Sequence, residues 1–124
     1  MNKIIFLLVI SSLFFICRKN GDNNGSDYKF DFDIEKGKSF QIELKSNPTT
    51  GYSWKWINRT SVSIVDTAGY KYLPDRPGLV GSGGKEIWTF KGMSIGNDSL
   101  RFEYNRSWEP NSTVESKTIY VRVK

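Results

Sequence analysis

The chain alternates apolar and polar residues with a period of two, in short runs separated by turn-forming residues. A strand places successive side chains on opposite faces, so this period marks strands with one face towards a core and one towards water. Tyr28, Phe30, Phe32 and Ile34 alternate with Lys29, Asp31 and Asp33, after which Glu35-Lys36-Gly37-Lys38 makes a turn. Phe40, Ile42 and Leu44 alternate with Gln41, Glu43 and Lys45. Trp54 and Trp56 share a face of a third run, Ser53 to Ile57, and Ser63 to Tyr72 forms a fourth, less regular one. Trp88 and Phe90 mark a fifth, Leu100, Phe102 and Tyr104 a sixth, and Ile119, Val121 and Val123 a seventh. No segment carries a helical period, and Ala68 is the only alanine in a chain rich in glycine and aromatic residues. Such a mix favours strands and turns over helices. The expected fold is all-β, an immunoglobulin-like β-sandwich of about seven strands.

A chain of 124 residues supports one domain with a two-layer core. Its net charge of +5 is modest, and the charges are interspersed. A nucleic-acid binder would show a basic cluster, and none is visible, so no nucleic-acid partner is expected. Histidine is absent altogether. No histidine-dependent triad, imidazole relay or histidine-ligated zinc can therefore form. The single cysteine, Cys17, lies in the leader, so the domain has no disulfide, no cysteine metal site and no cysteine nucleophile. A pair of carboxylates is the one catalytic device left, and nothing in the spacing of the 13 acidic residues picks out a pair. The expectation is a protein with no catalytic residues, no metal and no cofactor.

Residues 1–17 read as a leader. Lys3 supplies a short positive start, and an apolar run from Ile4 to Ile16 follows. That run is shorter than the roughly 20 residues an ordinary membrane-spanning helix needs, so export is expected. Two readings of Cys17 stand: the lipid-bearing residue of a bacterial lipoprotein, or a cysteine that falls by chance in a hydrophobic leader. The polar tether over residues 18–27 favours the first, with a membrane tether through Cys17. The protein is then secreted, periplasmic or held by lipid at the cell surface. The folded domain spans residues 28–124, and a monomer is expected. Glycosylation sequons occur at Asn24, Asn58, Asn97, Asn105 and Asn111. A glycan on Asn105 would crowd Arg106, which fits a host that does not glycosylate.

Three connections between the runs are unusual. Asn47-Pro48-Thr49-Thr50-Gly51-Tyr52 joins the second and third runs. Pro48 fixes its own φ and pushes Asn47 into an extended state, and Gly51 permits a φ closed to other residues. The loop is expected to be stiff, with the Thr49 and Thr50 hydroxyls and methyls facing outward and Asn47 and Tyr52 as supports. Gly81-Ser82-Gly83-Gly84 closes an irregular stretch from Leu73 to Gly84. A phosphate cradle would need a helix to follow, and a strand-like run follows instead. Arg106-Ser107-Trp108 lies between the sixth and seventh runs, and Trp beside Arg is a composition common in interface hot spots. Each loop also has a plain reading: a Pro/Gly turn, a flexible hairpin connection, and a Trp folded back onto the sandwich.

These motifs, in this order, resemble those of the chagasin-like inhibitors of papain-like cysteine peptidases, which carry N-P-T-T-G-Y, G-x-G-G and R-P-W loops. The first two match fully, and the third departs at Ser107, where the family has proline. The resemblance covers about Tyr28 to Lys124 and implies an immunoglobulin-type fold with all three loops in the peptidase cleft. By that resemblance Thr49 and Thr50 lie against the peptidase's catalytic residues, the glycine loop lies along the substrate groove, and Trp108 packs on the primed side with Arg106 bracing its loop. The function implied is reversible, non-covalent inhibition of a papain-like cysteine peptidase. The alternative from another class is an immunoglobulin-like surface adhesion or carbohydrate-binding lipoprotein, its aromatic residues forming a sugar platform.

Overall fold

Each of the seven runs forms a strand in the computed structural model, which describes residues 29–124. The strands are β1 (Phe32–Ile34), β2 (Ser39–Ser46), β3 (Ser53–Trp56), β4 (Val65–Pro74), β5 (Gly84–Gly92), β6 (Gly96–Asn105) and β7 (Glu115–Val123). They build two sheets, one in the order β1-β7-β6-β3 and one in the order β2-β5-β4. All pairings are antiparallel except β1 with β7. The leader, Cys17, the tether and the sequon at Asn24 lie outside the described residues.

The alternation works as it should. Along β2, Phe40, Ile42, Leu44 and Ser46 are buried while the residues between them are exposed. Between the sheets, Phe90, Leu100, Phe102 and Val121 have no solvent exposure. Phe90 is the hub. It stacks on Phe40 with centroids 5.7 Å apart, and it meets Trp56 at 5.0 Å and Phe102 at 6.2 Å edge to face. Each such side chain contributes about 1.5–3 kcal/mol through burial, so this cluster dominates what holds the sheets together.

Antiparallel pairing also decides where the connections fall. β5 starts beside the end of β2, with Ser46 opposite Gly84. The end of β4 meets the same point, with Pro74 opposite Gly84. In the other sheet β3 starts beside the end of β6, with Ser53 opposite Asn105. The β2–β3, β4–β5 and β6–β7 connections therefore share one end of the sandwich.

The strand boundaries differ from the expected ones at two places. The first run was expected from Tyr28, yet β1 begins at Phe32. Asp31 explains this: its carboxylate accepts the Tyr120 N–H at 2.8 Å, taking a donor that a longer β1 would have used. The fourth run lies two residues further along than expected and contains a register shift between Thr67 and Gly69. β4 is an outer strand, and this irregularity, with Lys71 and the N–H-free Pro74, guards its open edge against pairing with other chains. Among the sequons, Asn58 is buried and fully engaged. Its Oδ1 accepts from Trp56 Nε1 and Arg101 N, each at 2.9 Å, and its Nδ2 donates to the Ser99 carbonyl at 2.9 Å. No glycan fits there.

Candidate functional site

The first loop is a single 3-10 turn, Pro48–Thr50. Asn47 caps it in the extended state that Pro48 imposes, at φ −131°, and its Oδ1 accepts the Thr49 N–H at 3.3 Å. Gly51 ends it at φ +85°, and its N–H returns to the Pro48 carbonyl at 3.0 Å. The threonine hydroxyls do not face outward as expected. Thr49 Oγ1 donates to Asn47 Oδ1 at 2.5 Å and Thr50 Oγ1 to the Asn47 carbonyl at 2.6 Å. The turn gathers two donors on each Asn47 acceptor: the Thr49 N–H and hydroxyl on Oδ1, and the Thr50 N–H, at 3.1 Å, and hydroxyl on the carbonyl. Both threonines remain exposed, offering methyl groups and hydroxyl lone pairs.

Asn47 also binds the first loop to the second. Its Nδ2 donates to the Gly81 carbonyl at 3.3 Å, and its backbone N–H donates to Tyr104 Oη at 2.8 Å. In the second loop the Gly83 carbonyl accepts from Asp75 N at 3.0 Å, and Ser82 is half-buried. Gly84 opens β5, so a strand follows the glycines. A Cβ on Gly84 would stand 2.3 Å from the Leu73 carbonyl and 2.6 Å from Tyr72 Oη, so only glycine lets β4 and β5 close at the root of this loop. The irregular connection shortens to Asp75–Gly83, because Leu73 and Pro74 belong to β4. Its tip carries Leu79 and Val80, which are 54% and 90% exposed. The motif search did not single them out; two adjacent apolar residues inside a Pro/Gly-rich stretch were the available signal.

Arg106 binds the third loop to the first. Its Nε donates to the Thr50 carbonyl at 3.2 Å, its guanidinium lies 4.5 Å over the Tyr52 ring, and its Nη1 pairs with Glu109 at 3.3 Å. Tyr52 in turn stacks on Tyr104 at 5.4 Å. Trp108 is 72% exposed and lies against Gly51, where a Cβ would be 2.5 Å from its Cη2. It is a surface residue covering the first loop and does not belong to the core.

Ser107 occupies the second position of a β-turn closed by the Glu109 N–H on the Arg106 carbonyl at 3.2 Å. Proline is favoured at that position because its fixed φ suits the turn. Ser107→Pro is therefore expected to raise stability by about 0.4–1 kcal/mol through a stiffer unfolded chain. A thermal melt of the variant checks this; a lower Tm contradicts it.

Under the first two loops lies a carboxylate that the motif reading missed. Glu86 is 2% exposed. Its Oε2 accepts the Trp54 N–H at 3.1 Å and its Oε1 accepts Trp88 Nε1 at 3.3 Å. The available signal was parity, since Glu86 shares the inward face with Trp88 and Phe90. Tyr70, on the neighbouring strand, packs edge to face on Trp88 at 5.3 Å, and burial first, then the nearby Glu86 charge, push its phenol from 10.0 up to about 12. A raised folded-state value favours the neutral phenol, so this contribution to stability is complete below pH 10 and is lost as pH rises through about 12. Phenolate absorbance should show the effect, with parent and Tyr70→Phe ionising the same number of tyrosines at pH 11. One extra phenolate in the parent at that pH would contradict it.

The sandwich thus presents three loops, fastened to one another, as a single surface at one end. Comparison with known proteins gives this arrangement a family. Residues 33–123 match the chagasin family peptidase inhibitor I42 profile. Amoebiasin-1 of Entamoeba histolytica is 33% identical over 103 residues, 83% of this chain and 95% of that protein. Chagasin of Trypanosoma cruzi is 32% identical over 93 residues, 72% of this chain and 84% of that protein. Among solved structures, the ICP of Leishmania mexicana superposes with a TM-score of 0.52 at 30% identity, covering 80% of this chain and 93% of that one. The chain belongs to the chagasin family of peptidase inhibitors. It is an inhibitor and not an enzyme, as the family is made up of inhibitors.

Proposed function

We propose that this protein is a reversible, non-covalent inhibitor of papain-like cysteine peptidases that occludes the active-site cleft with its three loops. The observation that carries this reading is that the loops are fastened to one another before any partner arrives. Asn47 holds the second loop to the first, and Arg106 and Trp108 hold the third. Ordering is then largely complete in the free protein, which removes a cost that association would otherwise bear. The 3-10 turn of Pro48–Thr50 is the narrow central wedge, with Thr49 and Thr50 at the catalytic residues of the peptidase. Trp108 on one flank, and Val80 and Leu79 on the other, supply exposed apolar contacts. The described residues contain no thiol that could exchange a disulfide with the peptidase.

The apolar run to Ile16, with Cys17 and the polar tether after it, supports a further proposal: the inhibitor is exported and held at a membrane. Radiolabelled fatty acid incorporation that is lost in Cys17→Ser is the expected result.

The test of non-covalence uses papain whose active-site cysteine has been blocked with a small alkyl group, alongside active papain. Both should form a one-to-one complex on gel filtration, and the inhibitor should be recovered with its mass unchanged. An adduct that survives denaturation, or a cleaved inhibitor, overturns the mechanism.

A further inference from the structure

Glu86 is the one acid among the described residues that the core encloses. It stands on β5 two residues after Gly84, at the root of the second loop. Trp54, whose N–H it accepts, is on β3, the strand that leaves the first loop. The Trp54 indole donates to the Lys45 carbonyl at 2.8 Å, on β2, the strand that enters that loop. The same indole packs on Tyr104 at 5.1 Å, and Tyr104 holds the Asn47 N–H. A single carboxylate under the second loop thus fixes, through Trp54, both stems of the first.

A buried carboxylate is costly unless donors satisfy it, and an apolar side chain would fill the same space without that cost. An apolar side chain would not serve Trp54, however. β3 is an outer strand of its sheet, and the Trp54 N–H goes to this side chain and to no strand. Buried, hydrogen-bonded polar groups are retained where a unique arrangement matters more than stability. What is arranged here is one loop relative to another, across the two sheets.

We infer that Glu86 is a positioning residue for inhibition: it does not touch the peptidase, but it holds the first loop in register with the second so that both fit one cleft on first encounter. The inference rests on the three-loop reading of function. Loss of this register lowers the fraction of molecules competent to dock, and apparent affinity falls by that fraction. The loss belongs to association, because a docked complex has the same loop contacts as before.

The experiment compares the full chain with Glu86→Gln, which keeps shape and removes charge, and with Tyr70→Phe, which removes the phenol hydroxyl beside the carboxylate. Val65→Ala, a core truncation at the far end of β4, serves as a control for lowered stability. Association and dissociation with alkylated papain are measured for each, with amide exchange at Asn47–Gly51. Glu86→Gln should associate about tenfold more slowly, dissociate within about threefold of the parent, and exchange faster at the first loop. Tyr70→Phe should move in the same direction by a smaller factor. Val65→Ala should match the parent in both rates despite its lower Tm. Parent-like association of Glu86→Gln, or an equal slowing in Val65→Ala, overturns the inference. Should the parent itself not bind papain, the functional reading fails. Loop exchange then decides alone: unchanged exchange in both Glu86→Gln and Tyr70→Phe rejects the positioning role. If Glu86→Gln does not fold, Tyr70→Phe decides by the same two readouts.

Discussion

Gly51→Ala is expected to weaken inhibition more than it weakens the fold. Gly51 sits at φ +85°, where an L-residue costs about 1–2 kcal/mol, and stability should fall by that amount. Inhibition should lose more, because the new methyl would stand 2.5 Å from Cη2 and 2.9 Å from Cζ2 of Trp108. Trp108 is largely exposed and can swing aside, so the fold survives while the third loop leaves the first. An inhibition constant raised at least about thirtyfold, equal to about 2 kcal/mol, is the expected readout. An unchanged constant would show that the contact between these loops does not matter for binding.

Trp108→Ala is the companion prediction. A large, rigid aromatic on the surface of a binding edge is a common hot spot, and its loss should cost more than about 1 kcal/mol of binding, roughly fivefold or more. The melting temperature should hardly move, because the side chain is 72% exposed and touches loop backbone instead of core. Unfolding of the variant would place Trp108 in the core, against the observed exposure. The two substitutions share one contact, so they should not add. In the double variant the clash is gone, while the loss of the Trp108 contact and the backbone cost at Gly51 remain. A cycle of both singles and the double, read as inhibition constants, measures that coupling.

How far the sequence could be read depended on how local the cause was. Period-two alternation is local, so Phe40, Ile42 and Leu44, or Trp54 and Trp56, place themselves on a face without knowledge of the rest. The ends of strands depend on partners. β1 begins only at Phe32 because the Asp31 side chain takes a donor from Tyr120, a residue 89 positions away. Loop stiffness was legible from Pro48 and Gly51, since φ preferences belong to single residues. The threonine hydroxyls were not, because their acceptors become available only once the 3-10 turn forms. The fastening of the loops to one another, Asn47 on Gly81 and Arg106 on Thr50, was legible only once the antiparallel order placed three connections at one end. Glu86 reads as a surface residue in a strand beginning Lys85-Glu86-Ile87 unless its parity with Phe90 is followed through.

The most direct measurement is a titration of papain with this protein against a peptide substrate. Occlusion of the cleft predicts competitive inhibition at a one-to-one ratio, a dissociation constant below micromolar (tighter than about −8 kcal/mol), and full recovery of activity on dilution. No inhibition of papain or of a cathepsin at micromolar concentration, or inhibition that does not weaken as substrate is raised, would contradict it.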